Sequence, residues 1–559
     1  MQWNRTAIVR PYWAYNYVMA QQAFCSRRYV SLPHLNKAVE LTKVLSKAIF
    51  FDGYLPAAKL PVRMERMVKN TSQLNQFYSS CPNGCPERHL FQRNEGDMNL
   101  FASHQPEAKQ LLPPSFLVPA VIDALKQSPK YRSLVHQVPG EADAFCAQHL
   151  ATHGGIVLTS DSDLLVHDLA GSRVVFFRDI HVADGNSSWQ CLLYDPRAIC
   201  QRLGVPPEET RRLGYEVDRS YHATVSQIVR NCDGPVANEK DFEEFCQQYL
   251  HHETSPVPTI ADGKALPLKR LDPRLSELVL QLGNKEMDGQ DARMFLPVLV
   301  ESPMRGSAWE PSTPIRQLAY TIFRWMVPGQ TSSVQEYRRV QTQQQKGRSV
   351  GLLDKESART AIEDLISTMM QMKTLTHDIP VSFWLILCLV LDIQECQQKE
   401  KRSHALYMIE QLRSVSEGIS NNKVSWDLIQ LTAQLQASCY SLRMLRQVLS
   451  LCSDTAEKEL PQEALDLQKM VVEVPRLDDF PDIPRTTGFL GKLRQGEVRE
   501  ILAKFVTSIN QEASAPSGKS PNVTKKRKKE RDQSDPTSKR AATQTAPTRG
   551  NMFSLLSDE

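Results

Sequence analysis

The sequence predicts an α/β fold with a parallel sheet flanked by helices over residues 1–255, an all-helical domain over 256–508 and a disordered basic tail over 509–559. Three observations carry this prediction. Short apolar runs alternate with amphipathic stretches through the first part, the pattern of strands joined by helical crossovers. After Pro256 the strand patterns fade, and apolar residues recur at helical spacing. From about 511 to 550 large apolar side chains nearly vanish while Ser, Pro, Thr, Lys and Arg dominate, a composition that buries too little surface to offset chain entropy.

The first strand candidate with a clear end is Lys47-Ala48-Ile49-Phe50-Phe51, closing on Asp52-Gly53. Thr71 to Leu112 is polar and carries Pro and Gly, so it reads as a long excursion or lid. Val121–Gln127 and Glu141–Leu150 are helical by apolar spacing. Gly155-Ile156-Val157-Leu158-Thr159 is a second strand, ending in Ser160-Asp161-Ser162-Asp163, and Ser172–Arg178 is a third. In the later part Glu356–Lys373, Phe383–Lys399, Leu406–Ser416 and Leu428–Leu451 are helices by the same criterion. No repeat of 20 to 50 residues is visible there, which argues against a solenoid.

Bulk properties narrow the class. A chain of 559 residues exceeds one ordinary core, and 41% hydrophobic with 23% charged residues is a globular balance. The net charge of +4 declares no polyanion partner by itself. Twelve cysteines lack a dense framework and no secretory pattern opens the chain, so a reducing compartment is expected. The longest apolar run, Phe383–Leu391, is far short of the roughly 20 residues of a membrane span, and no membrane partner is expected. Cys81, Cys85 and His89 form Cys-x₃-Cys-x₃-His, but a zinc site needs a fourth ligand, for which only Cys25 or His104 offers itself. Lys525-Lys526-Arg527-Lys528-Lys529, followed after nine residues by Lys539-Arg540, has bipartite nuclear-import spacing and predicts an import receptor as partner and a nuclear location. The same block also reads as a solvated tail or a non-specific grip on nucleic acid.

Chemistry concentrates in carboxylates. Asp52 and the pair Asp161 and Asp163 follow strands, and ligands of open α/β sheets bind beyond strand carboxyl ends. Glu141 and Asp143 open the helix before the second of these strands. Singly, each pair has an ordinary explanation, in helix-dipole compensation or in turn formation. Together they put four acids toward one sheet edge, where mutual repulsion is relieved by hard divalent cations such as Mg²⁺ or Mn²⁺. Two such ions about 4 Å apart activate water and stabilise a departing phosphodiester oxygen.

Gly140-Glu141-Ala142-Asp143-Ala144 and Gly155-Ile156-Val157-Leu158-Thr159-Ser160-Asp161-Ser162-Asp163 resemble the internal motif of flap endonucleases, Gly-Glu-Ala-Glu-Ala, a helix, then a strand ending in Asp-x-Asp. Phe50-Phe51-Asp52-Gly53-Tyr54-Leu55-Pro56, with Lys59, Arg63 and Arg66, resembles the same family's Phe-Asp-Gly-x-x-Pro element and basic helix. The chain is thus identified as resembling the asteroid/XPG-like nucleases, which share a PIN-type fold, over residues 40–220. The part around Arg316-Gln317-Leu318-Ala319-Tyr320 and Glu336-Tyr337 is similar to asteroid proteins of the fungal type.

The resemblance implies a PIN/flap-endonuclease-like sheet and a structure-specific, Mg²⁺-dependent endonuclease acting on branched or single-stranded DNA in repair. It makes Asp52, Glu141, Asp143, Asp161 and Asp163 holders of two metal ions and puts Lys59, Arg63 and Arg66 on phosphates. The sequence departs from the family in two places. Ala7-Ile8-Val9 matches the first strand, but Val9 stands where the family has a metal-binding Asp, and no acid precedes Glu40. At the last family Asp, Ser220 holds the expected place and Asp218 lies two residues early. The alternative reading is therefore a catalytically degenerate scaffold that binds nucleic acid or protein, with a partner for the helical domain.

Overall fold

A computed structural model describes residues 7–9, 46–53, 59–86, 115–159, 161–176, 179–182, 189–220, 222–249, 267–283, 292–326, 331–376, 382–411, 419–420, 423–455 and 460–493. In chain order the first part comprises β1 (Ala7–Val9), β2 (Ser46–Asp52), α1 (Leu60–Ser80), the two-residue β3 (Cys85–Pro86), α2 (Leu117–Gln127), β4 (Val135–Val138), α3 (Ala142–His153), β5 (Ile156–Thr159) and β6 (Arg173–Phe176). Five of these strands form one sheet in the order β4-β2-β1-β5-β6. Every neighbouring pair in it is parallel. Ala48, Ile49, Phe50 and Phe51 are all buried, the continuous apolar run expected of a strand covered on both faces. One face packs Ala48, Phe50, Val157, Val174 and Phe176 against Ala147 and Leu150 of α3.

The registers Asp52↔Val138, Val9↔Leu158 and Thr159↔Phe176 align the carboxyl ends of all five strands on one edge. The β1 strand is central and flanked by β2 and β5, so the chain order reverses direction there, the usual place for a ligand crevice. The hairpin β7 (Ile180–Val182) and β8 (Trp189–Cys191) follows, then α4 (Pro196–Leu203), α5 (Thr210–Arg219), α6 (Val225–Asp233) and α7 (Glu239–Gln248). Cys200, Val205, Leu213, Val217 and Ile228 form a small core among α4, α5 and α6.

The second part contains α8 (Pro273–Gly283), β9 (Ala292–Phe295), α9 (Thr313–Met326), β10 (Ser333–Tyr337), β11 (Arg348–Gly351), α10 (Lys355–Leu375), α11 (Phe383–Gln398), α12 (His404–Gln411), β12 (Ile419–Ser420), β13 (Lys423–Val424), α13 (Trp426–Thr455), α14 (Gln462–Val471) and α15 (Ile483–Leu493). It is mostly helical, but the expectation of an all-helical domain is corrected by the sheet β11-β10-β9. Its strands have four or five residues, and the inward positions of β10 are Val334 and Glu336. A carboxylate in an inward position masks the period-two apolar pattern that identifies a strand.

Glu336 is fully buried in a polar cluster that ties β10 to α9 and α13. Arg316 Nε donates to Glu336 Oε1 at 2.6 Å, and Arg316 Nη2 donates to Oε2 at 2.9 Å. Arg316 also donates to Ser312 and Ser441. Arg338 and the Tyr320 hydroxyl donate to the same carboxylate. Burial alone raises the Glu336 pKa, but Arg316 and Arg338 outweigh it and hold it down at about 2.

The long excursion expected from Thr71 is corrected over its first residues, Thr71–Pro86. Helix α1 continues to Ser80, with Thr71, Leu74 and Phe77 buried, while residues 87–112 lie outside the described residues. Leu74, Phe77, Cys85 and Ala120 join the large core built around α13. Trp426 packs on Phe77 and Tyr78, with ring centroids 5.8 and 4.9 Å apart. Among the described residues, no helix is long and apolar enough to cross a membrane.

Candidate active site

Asp52 is the last residue of β2, and its Oδ1 accepts a hydrogen bond from Ala142 N at 2.7 Å. A carboxylate from a neighbouring strand thereby caps the amino end of α3, whose own N-cap residue, Glu141, makes no side-chain cap. The next residue must be small. A Cβ at Gly53 would lie 2.2 Å from Val138 O, and Gly53 N donates to Gly140 O at 3.3 Å. The Asp-Gly pair thus closes the end of β2 against the turn between β4 and α3. Beside it, Lys59 Nζ stands 3.6 Å from Glu141 Oε1.

Asp161 and Asp163 follow β5. The Thr159 hydroxyl accepts from Asp161 N at 3.0 Å, and Asp161 Oδ1 accepts from Asp163 N at 3.1 Å. Buried Ser162, Leu164 and Leu165 anchor the short 3₁₀ turn that carries them, leaving both acids partly accessible. Tyr249, just beyond α7, is 7% exposed, with its ring edge-on to His167 at 5.1 Å and tilted against Phe245 at 4.9 Å. Burial first, and then Asp163, Asp218, Asp161 and Asp143, push ionisation of its hydroxyl well up. Each of these four carboxylates thus acts on the Tyr249 hydroxyl, Asp218 on α5 among them.

The basic residues divide. Arg66 is exposed, and Lys59 sits beside Glu141. Arg63, expected on phosphate, is instead ion-paired with Glu277 of α8, and its guanidinium lies 4.6 Å from the Phe295 ring centre. Burial raises the Glu277 pKa, against the pull of Arg63 and Arg274. Ser276, one residue earlier, donates to Gly53 O at 2.9 Å and accepts from Gln137 Nε2 at 2.6 Å. Helix α8 thus braces the strand edge from the second part of the chain. Motif reading missed Ser276, Glu277 and Tyr249. The first two stand in an ordinary amphipathic helix, and the third ends one, so none carries a local signal.

The five candidate acids stand at or just beyond the carboxyl ends of β2, β4 and β5, on one edge of the sheet. The central strand between them contributes no carboxylate, because β1 ends on Val9. Among the described residues, no three His, Cys, Asp or Glu side chains converge as a ready-made metal cluster. The donors are all hard oxygens, which suits Mg²⁺ or Mn²⁺ in kind. The basic block Lys525–Lys529 with Lys539 and Arg540 lies outside the described residues.

Residues 113–350 match a protein family described as XPG domain containing, a stretch that runs from α2 through β11 and so spans both parts of the chain. Asteroid homolog 1 of Schizosaccharomyces pombe is 25% identical over 211 residues, 36% of this chain and 39% of that protein. The chain therefore covers well under half the length of this curated relative. No solved structure matches.

Proposed function

We propose that this chain, similar in sequence to asteroid and XPG-like proteins of the nuclease class, is a divalent-metal-dependent endonuclease that cleaves branched or single-stranded DNA in the nucleus. The observation that carries the reading is the register of the parallel sheet, which sets Asp52, Glu141 and Asp161 at the carboxyl ends of three different strands on one edge. Acids from separate strands at that edge are what a hydrolytic phosphodiesterase needs, and core packing has no use for them.

Each residue then has a task. Asp143, Asp161, Asp163 and Asp218 would bind the divalent cation, which when bound supplies charge neutralisation at the phosphate and a more acidic water. Asp52 fixes the amino end of α3 and so the position of Glu141 and Asp143, and its negative charge belongs to the acidic edge that receives the cation. Lys59 and Arg66 meet the incoming phosphate backbone, Lys59 moving from Glu141 to do so. The basic tail supplies nuclear import.

Asp161→Asn tests this proposal. The substitution keeps shape while removing one full charge from the set. We expect loss of Mg²⁺-dependent cleavage of branched DNA with binding retained, and loss of the Mg²⁺-dependent rise in melting temperature. Wild-type protein that neither cleaves nor gains stability with Mg²⁺ would overturn the reading. A second reading, a degenerate scaffold that binds without cutting, is favoured by Val9 at the end of the central strand and by the absence of a compact acid cluster among the described residues. It expects DNA binding, with or without Mg²⁺, and no cleavage.

A further inference from the structure

Away from the sheet edge, the chain makes a tight turn from the end of α1 into β3. Cys81 caps α1, with its thiol 3.1 Å from Phe77 O and within hydrogen-bonding reach of the Cys85 thiol. The turn is held from both sides. Cys81 O accepts from Gly84 N at 3.2 Å and from Trp426 Nε1 at 2.8 Å. Gly84 adopts φ +110°, and a Cβ there would lie 3.0 Å from Val424 O. Cys85 pairs with Val424 in the strand that also carries Lys423. The two sulfurs differ in access, since Cys85 is fully buried while Cys81 is partly exposed.

We propose that Cys81 and Cys85 form a redox-active thiol pair that closes to a disulfide on reaction with hydrogen peroxide. The Cys81 thiolate attacks one peroxide oxygen, the O–O bond breaks, and the departing hydroxide takes up the proton that Cys81 had released, leaving water and a sulfenic acid. The Cys85 thiol then attacks the Cys81 sulfur. An S–S bond forms, the S–O bond breaks, and a second water leaves with the Cys85 proton. Two thiols lose two electrons, and the peroxide is reduced to two waters.

The surroundings suit these roles. Hydrogen bonding from Cys85, then from Ser80, with the nearby Lys423 ammonium, outweighs burial and brings the Cys81 thiol down to about 7. The other described thiols with a shifted acidity, Cys191, Cys200, Cys232, Cys246, Cys388, Cys396 and Cys452, are all pushed up by burial or by a neighbouring thiol. Cys388 and Cys439 also approach each other, at 3.8 Å between sulfurs, but neither is exposed, both being buried in the core of which α13 is part.

The full-length wild-type chain tests the proposal directly. At pH 7 a thiol near 7 has about fifty times the thiolate of one at 9.0 and roughly a tenth of its intrinsic nucleophilicity, so Cys81 should alkylate with iodoacetamide at least about fivefold faster than Cys191. After a hydrogen peroxide pulse, the peptide spanning both residues should lose two hydrogens in mass. Cys85→Ala should instead accumulate a dimedone adduct on Cys81. Lys423→Met should slow Cys81 alkylation while leaving Cys191 unchanged. Cys81 alkylation no faster than that of Cys191, or peroxide carrying Cys81 to the sulfinic acid with no disulfide, would overturn the proposal.

Discussion

Asp52 is the residue at which a structural and a chemical role separate most cleanly. Its Oδ1 caps the amino end of α3 through Ala142 N at 2.7 Å, a task that needs an oxygen acceptor and no charge. A metal-site task needs the charge. Asp52→Ala removes both, and loss of a helix cap costs about 1 kcal/mol, within 0.5–2 across proteins. For cooperative units of 150–250 residues, that corresponds to a fall in melting temperature of about 2–4 °C. Asp52→Asn keeps an acceptor at the same place, and because Asn and Asp cap equally well its melting temperature should stay within about 1 °C of wild type. Differential scanning fluorimetry of the three proteins, paired with cleavage of a branched DNA in Mg²⁺, reads both roles. We expect only the Ala variant to melt early and both variants to be inactive. An Asn variant that melts as early as the Ala variant would refute the capping argument. An Asn variant that cleaves like wild type would refute the claim on the charge.

Two further outcomes follow from other parts of the chain. Glu336 has a pKa depressed from 4.5 to about 2, so its contribution to stability is present above pH 4.5 and is lost as pH falls toward 2. Glu336→Gln should therefore cost roughly 3 kcal/mol in guanidinium titrations at pH 7, a penalty that shrinks below pH 4.5, and a difference from wild type constant between pH 7 and 3 would refute the assignment. Replacing Lys525 to Lys529 by Ala should move a fluorescent fusion from nucleus to cytoplasm with the melting temperature unchanged, and retained nuclear signal would remove the import role.

What could be read in advance was local. Phe50-Phe51-Asp52-Gly53 names its own strand end, because an apolar run buried on both faces stops at a charge followed by the one residue that fits beneath Val138 O. Asp161 and Asp163 are legible because the apolar run Ile156-Val157-Leu158 stops just before them. Arg63 was legible as part of a basic helix, but its partner Glu277 lies 214 residues away, and no local pattern announces an ion pair across that separation. The sheet β11-β10-β9 escaped notice because Glu336, an acid in an inward position, is stabilised by arginines drawn from elements that only the folded chain brings together. Asp218 was doubtful by position in the motif, and in the fold it acts on the Tyr249 hydroxyl alongside Asp143, Asp161 and Asp163.

Helix α1 joins two mechanical bodies. Its first turns, with Arg63 and Arg66, lie near the strand edge, while Leu74, Phe77 and Trp426 lock its last turns into the core around α13. With 21 residues it is a strut about 30 Å long. Helix α8 reaches back the other way, through Ser276 to Gly53 and through Glu277 to Arg63. A protease cut between residues 249 and 267 would therefore not yield two independent halves. The fragments should co-purify as a noncovalent pair, and a piece ending near residue 255 should aggregate on the apolar stripe that α1 leaves without a counterpart.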